Sequence, residues 1–476
     1  MDVTVPRPAP RLALRSRPPE QLLLPDVHLF DPACGLDRRG SLLVRGGVIV
    51  AIGKSGGLVA DAPDATVLAH LAGCHVFPGF VDMHAHLRTP GQEYKEDLAS
   101  AARAAAAGGF VLVAGMANTD PPVDAGPLAA WVLDQADEVA DVAVAQVGAV
   151  SHGLRGEALS ELWELADAGV VAFSDDGRAL RDLDLLLTAL RYAGSIGRPL
   201  LLHLEDASLA ADGVMHEGAW SARLGLRGIP TAAESGPLAR DLEVLRAVVE
   251  ERARRSPTPG TASRVPLLHL QHLSTAASVR LLRDAKAAGL PVTAEVTPHH
   301  LLLGDDLVSG FDQSLKVNPP LRAAEDRAAL LAALVEGVID CVATDHAPHA
   351  PHEKEVPFED APFGSVGLET AFPALYGGLV ETGSLTLARL VEALSTAPCR
   401  ILGVEAPRLE VGSAADICAV DLEESWEVTT SDLYGKSRNS AFLGRRVRGR
   451  VAMTMVKGAR RFERTRKARD GGHARA

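Results

Sequence analysis

The apolar residues of this chain fall into two textures. Over about residues 78–405, short apolar runs alternate with stretches of helical periodicity. Eight runs stand out: HVFPGFVDM, FVLVAGM, VAVAQVGAV, VVAF, PLLLHL, VPLLHL, PVTAEV and VIDCVA. Their length and β-branched content fit buried strands. Helical stretches separate most of them. KEDLASAARAAAAGG (95–109) is rich in alanine and stops at Gly108-Gly109, and DLDLLLTALRYAGSIG (182–197) ends on a glycine. Strands that alternate with helices pair in parallel. Eight such units predict an α/β fold, a (β/α)8 TIM-like barrel over 78–405, with an open doubly wound sheet as the alternative. The interval 206–265 exceeds one crossover. It holds a predicted extra helix, AESGPLARDLEVLRAVVEERARR, and then an exposed loop that reads as an insertion at 256–264.

The two ends carry the other texture. GSLLVRGGVIVAIG (40–53) has two apolar runs broken by Gly46-Gly47, a hairpin signal. Similar strands return in LEVGSAADICAVDL and RRVRGRVAMTMVKG. Residues 21–77 and 406–462 are therefore expected to form one small composite β domain. Residues 1–20, rich in Pro and Arg, read as a disordered extension rather than a secretory signal, and 463–476 as a frayed tail.

Composition narrows the partners. The net charge is −13 and only 4% of residues are aromatic, so neither a nucleic-acid surface nor an anionic membrane is expected. No apolar run approaches the ~20 residues of a membrane span. Five scattered cysteines, without a CxxC pair, argue against a disulfide frame and point to a reducing cytoplasm.

Chemistry in such a barrel collects where the strands end. The first run ends in VDMHAHLRTPG, with His84 and His86 two apart, and residues i and i+2 of a strand point the same way. The fourth run ends in FSDDG, which holds Asp175 and Asp176; the fifth reaches His203, the sixth ends near His272, and the eighth ends at Asp345. Imidazoles and carboxylates suit Zn²⁺, and also Mn²⁺ or Co²⁺. Six ligands exceed what one catalytic ion with an open position needs, so two ions sharing a carboxylate account for them better. Any one of these histidines alone is more often a satisfied polar group, and a DDG can be a plain turn. Their joint placement is what favours a metal centre. His269 reads as a packed polar residue, and His299 and His300 as structural or neighbouring groups. Arg88 is well placed to clasp a carboxylate through its fork, and Asn118 and His349 could serve the same anion.

The strings PGFVDMHAHLRTPGQEYKED, MANTDPP, FSDDG, LHLED, HLST, EVTPHHL, KVNPPLR, IDCVATDHAPH and APFGSVGLETAFP occur in that order between about residues 40 and 458. Together they resemble dihydroorotases of the first type, in the amidohydrolase superfamily. The resemblance implies two zinc ions per subunit. His84, His86 and Asp345 would hold one, His203 and His272 the other, with Asp176 bridging. It makes Asp345 the catalytic proton carrier. Arg88, Asn118, Asn318 and His349 would hold dihydroorotate, with His86, Phe363 and Gly364 lining the site. The fourth strand offers no lysine, the commoner bridge among hydantoinase-like and allantoinase-like relatives. Thr89 and Ala117 depart from the family, which usually has an acidic residue and a proline there. The implied reaction is reversible hydrolysis of dihydroorotate to N-carbamoyl-aspartate in pyrimidine biosynthesis. Hydrolysis of another cyclic amide, or a low-activity subunit supporting aspartate transcarbamoylase, are the alternatives. A homodimer is a further family expectation.

Overall fold

A computed structural model describes residues 7–59, 62–255 and 265–464. The insertion at 256–264 and most of the C-terminal tail lie outside the described residues. Each of the eight apolar runs yields a barrel strand. They are β1 (Phe80–Ala85), β2 (Phe110–Gly115), β3 (Ala143–Gly148), β4 (Ala172–Phe173), β5 (Leu200–Leu202), β6 (Leu268–Leu270), β7 (Val292–Val296) and β8 (Cys341–Val342). They pair in sequence order, all in parallel. A bridge between Ala85 and His346, with the His86 N–H donating to the His346 carbonyl at 2.8 Å, brings β1 back to the chain beyond β8. The ring is thereby closed at the end where the site residues lie.

The helices form where the periodicity places them. Leu98–Ala107 is capped by Asp97, which accepts from the Ser100 N–H while Ser100 returns the bond. Leu183–Ile196 starts on Asp182 and stops at Gly197, whose φ of 85° needs a glycine. The extra helix spans Ala232–Arg255. Among the described residues, no helix is long and apolar enough to cross a membrane.

The first apolar run divides in two. His75–Pro78 leaves the barrel and joins the second sheet, pairing in parallel with Leu22–Asp31 and antiparallel with Ile417–Glu427. It is thus the seam between the two chain ends. Arg446–Val456 and Ala459–Glu463 extend one side, and Leu36–Arg45 with Val48–Gly53 the other. Gly46 and Gly47, at φ 60° and 86°, make the tight hairpin turn between the last pair. Leu22, Leu24, Leu42, Ile417 and Met453 pack its core.

One expectation is overturned. Of residues 7–20, read as a disordered extension, the stretch 7–17 lies along the N-terminal side of the barrel and Glu20 pairs with Arg460 of the second sheet. Ala13 pairs with Val144 at the start of β3, and Arg11 bonds to Asp134 and Asp137. Arg15 and Arg17 both reach Asp141. The arginines that suggested a solvated tail are ion-pair partners for a carboxylate row on the barrel.

Candidate active site

Each strand end delivers one part of the site. His84 lies on β1 and His86 just past it; Asp176 follows β4, His203 follows β5, His272 follows β6 and Asp345 follows β8. All six are buried. Their donor atoms converge. His84 Nε2 is 3.5 Å from both Asp176 Oδ1 and Asp345 Oδ1. His86 Nε2 is 3.0 Å from Asp345 Oδ1 and 3.5 Å from Asp176 Oδ2. His203 Nδ1 and His272 Nε2 are each 3.7 Å from Asp176 Oδ1, and 3.0 Å from one another. Asp176 therefore stands at the middle of the cluster, with His84, His203 and His272 around Oδ1 and His86 at Oδ2.

This cluster is poorly satisfied by the protein alone. His84 Nε2 and Asp176 Oδ1 are buried with no hydrogen-bond partner, as are one nitrogen each of His203 and His272. An unpaired buried polar atom costs about 1–3 kcal/mol. His84, Asp176 and His272 can offer one ligand atom each within 4.8 Å of one another, and so can His84, His86 and Asp345. Nitrogen and carboxylate donors in this proportion fit borderline divalent cations such as zinc.

Electrostatics agrees. Burial opposes charge on Asp176, yet His84, then His272 and His86, hold its carboxyl well below the usual range. Burial opposes charge on Asp345 as well, but a hydrogen bond with His86 and the nearby His84, His86 and His272 together lower it. Burial disfavours a charged His84, but Asp176 and Glu295 raise it well above the ordinary value. The carboxylates stay ionised around a centre that favours positive charge.

The neighbouring Asp175 is spent elsewhere. Its Oδ1 accepts from the N–H groups of Val150 and Ser151 at 2.8 and 3.0 Å, and its Oδ2 from the Ser151 hydroxyl. It pins the loop after β3 while Asp176 faces the centre.

A cavity of about 220 Å³ opens over the cluster, lined by Arg88, Asn118, Asn318, His349, Phe363 and Gly364 besides the ligand residues other than His84. Arg88 is 9% exposed. Its Nε donates to the Pro348 carbonyl at 3.2 Å. Among the described residues no carboxylate oxygen lies within 4 Å of its guanidinium. Burial lowers its pKa to about 10, so it remains a cation at neutral pH. Arg88, His272 and Asp345 all have positive φ, at 60°, 32° and 48°. Non-glycine residues in that region collect at sites whose geometry the surrounding fold imposes.

Three expected substrate contacts are differently engaged. Asn118 Oδ1 lies 2.9 Å from His86 Nδ1, and its Nδ2 donates to the Asp176 carbonyl and Oδ2 at 3.2 Å. Both ends of that amide steer ligand residues. Asn318 Nδ2 donates to Glu205 Oε2 at 2.6 Å, and the residue lines the cavity. His349 Nε2 donates to the Phe363 carbonyl at 2.7 Å, and burial with the nearby Arg88 cation lowers its pKa to about 3. A neutral His349 thus holds the loop that carries Phe363. Gly364 has φ 134°, and a Cβ there would lie 2.7 Å from Ala347 Cβ. Ala117, where a proline was expected, works through its carbonyl, which accepts from Thr119 and Val123. The carbonyl is indifferent to that substitution. Thr89 is buried with its hydroxyl unpaired.

His300 bonds to Thr297 Oγ1 and to the Pro319 carbonyl, both at 2.8 Å, and so anchors the turn that bears Asn318. His269 is packed, as expected, but against a carboxylate. That carboxylate, Glu295 on β7, was missed by sequence reasoning, as were Glu205 and Asp82. Asp82 accepts from the N–H groups of His84 and Thr344 and so ties β1 to the Asp345 loop. A signal existed. Both Asp82 and Glu295 are charges inside otherwise apolar strands, where a carboxylate survives only with partners.

The amidohydrolase family profile matches residues 75–461. A dihydroorotase of Geobacter sp. is 43% identical over 437 residues, 92% of this chain and 98% of that protein. One of Anaeromyxobacter dehalogenans is 45% identical over 439 residues, 92% of this chain and 96% of its own. Among solved structures, a D-hydantoinase of Bacillus sp. AR9 superposes with a TM-score of 0.77 at 21% identity, covering 93% of this chain and 95% of its own. The L-hydantoinase of Arthrobacter aurescens gives 0.74 at 24% identity, covering 93% and 96%. These two likenesses speak for the fold. The full-length match at 43–45% identity speaks for the lineage: the chain belongs to the amidohydrolase family and, within it, to the dihydroorotases.

Proposed function

We propose that this protein catalyses the reversible hydrolysis of the cyclic amide of dihydroorotate to N-carbamoyl-aspartate, with two zinc ions held by His84, His86, Asp176, His203, His272 and Asp345. The observation that carries the substrate is Arg88. A buried guanidinium without a carboxylate partner among the described residues is costly unless a ligand supplies one. Dihydroorotate is a ring amide with a carboxylate; hydantoin and dihydrouracil have the ring alone.

When bound, divalent ions would lower the pKa of a water towards ~7 and polarise the ring carbonyl. The remaining work belongs to side chains. Arg88 receives the substrate carboxylate in a bidentate pair and fixes the ring over the cluster. Asn318, whose amide nitrogen is held by Glu205, accepts a ring N–H through its side-chain oxygen. Phe363 and Gly364 close one wall and exclude water. Asp345 takes the proton from the attacking water as its oxygen joins the carbonyl carbon. It then delivers that proton to the ring nitrogen as the C–N bond breaks. Ring closure runs the same steps in reverse.

Five cysteines scattered along the chain, with no CxxC pair among them, support a reducing, cytoplasmic setting. A homodimer, and association with aspartate transcarbamoylase, are part of the same proposal. Size measurement and co-purification test them. The substrate is tested by comparing dihydroorotate with hydantoin and dihydrouracil on one preparation. Preference for dihydroorotate supports the reading, and faster turnover of an uncharged ring overturns it.

A further inference from the structure

Beneath the ligand cluster, inside the barrel, lies a second polar layer that the reaction does not use directly. Glu295 projects from β7 and is fully buried. Its Oε1 is 2.6 Å from His84 Nδ1 and accepts the His272 backbone N–H at 3.2 Å. Its Oε2 is 3.1 Å from His269 Nε2, and His269 Nδ1 is 2.9 Å from Thr293 Oγ1. One carboxylate therefore touches β1, the end of β6 and β6 itself.

The chemistry of that contact is directional. An ionised carboxylate only accepts, so the atom facing it must carry hydrogen. His84 then holds its proton on Nδ1 and turns a bare Nε2 to the centre. Gln271 Nε2 also approaches His84 Nδ1, at 3.3 Å, but the shorter contact at 2.6 Å decides the proton's place. His269, with Nε2–H on Glu295 and Nδ1 accepting from Thr293, braces the carboxylate from the far side.

We propose that Glu295 is the positioning residue of the centre: it fixes His84 in its Nδ1–H form and sets His84 and the His272 backbone in register, with His269 as its brace. This rests on the reading that His84 and His272 bind a divalent ion. Partners of this kind are commonly worth 10–100-fold in metal affinity.

The test titrates metal-stripped protein with Co²⁺ against a chromophoric chelator, reading affinity and the visible absorption of the bound ion. Glu295→Gln should lose about 10–100-fold in affinity and shift that absorption, while circular dichroism of the metal-free form stays that of wild type. His269→Leu should weaken Co²⁺ less, and His269→Gln, which keeps an N–H donor, should restore most of the loss. Wild-type affinity and spectrum in Glu295→Gln would overturn the proposal. If that variant does not fold, the two His269 variants decide, and equal Co²⁺ affinity in both and in wild type overturns it. Wild-type protein that takes up no Co²⁺ refutes the ligand assignment itself, a distinct failure.

Discussion

Asp175 and Asp176 are adjacent in the chain and work in opposite directions. Asp175 turns into the loop after β3 and accepts three hydrogen bonds there; Asp176 turns inward, with Oδ1 unpaired among three histidines. The two alanine variants should separate accordingly. Asp176→Ala should retain the fold, lose bound metal and lose turnover. Asp175→Ala should keep metal in the folded fraction but lower the unfolding midpoint, because two buried N–H groups lose their acceptor at about 1–3 kcal/mol each. Metal analysis and thermal unfolding on both variants check this; retained metal in Asp176→Ala contradicts the bridging role.

Asp345→Asn should reduce turnover by about 10²–10⁴-fold, the usual worth of a positioned proton carrier. The amide is nearly isosteric, so the fold should persist. Steady-state rates with saturating zinc measure it. A rate within a few-fold of wild type would remove Asp345 from that role.

Arg88→Lys should raise KM about tenfold or more with a smaller change in kcat, since an ammonium cannot reproduce the planar fork. The same substitution should leave an uncharged cyclic amide almost unaffected. An unchanged KM for dihydroorotate counts against the carboxylate clasp.

Lys354 supplies a pH prediction. It is buried beside the cavity loop, with Nζ donating to the carbonyls of Gln313 and Pro362 at 2.9 and 2.7 Å. Burial, and then the nearby Lys316, lower its pKa to about 7. The unfolded lysine keeps its proton to about pH 10. Between these values the unfolded chain binds more protons, so this group makes stability rise with pH. The difference in unfolding free energy between wild type and Lys354→Met should therefore shift in favour of wild type from about pH 7 to 10. A flat difference would place the lysine's pKa in its ordinary range.

Deleting residues 1–17 removes the strap formed by Ala13 and its arginines. This should lower the unfolding midpoint by roughly 2–5 °C without changing kcat at moderate temperature, because the strap lies on the face opposite the site. An unaltered midpoint would mean that the contacts are too weak to matter.

Much of this molecule was legible in its sequence because strands and helices write different periods. Seven of the eight barrel strands fall within the apolar runs, β1 overruns its own by His84 and Ala85, and the Gly46-Gly47 hairpin lies within its own signal. The ligand residues were visible as histidines and carboxylates at or just past the ends of those runs. What escaped depends on contacts between distant segments. The strap at 7–17 looks disordered because its partners, Asp134, Asp137 and Asp141, are more than a hundred residues away. HVFPGFVDM reads as one run although Pro78 ends one sheet and Phe80 begins another. Asn118 and His349 were expected to meet substrate from residue type and from the family resemblance; only the fold reveals that His86, Asp176 and Phe363 already engage them. Glu295 was overlooked because a strand pattern says where a side chain points, not which imidazole waits there.

The measurement that bears most directly on the whole account is dihydroorotate turnover and metal content on the same sample, before and after chelation. The account predicts turnover with about two zinc ions per chain, loss of both on chelation, and return of both when zinc is restored. Undiminished turnover in metal-free protein, or a fully metal-loaded protein that leaves dihydroorotate intact, would contradict it.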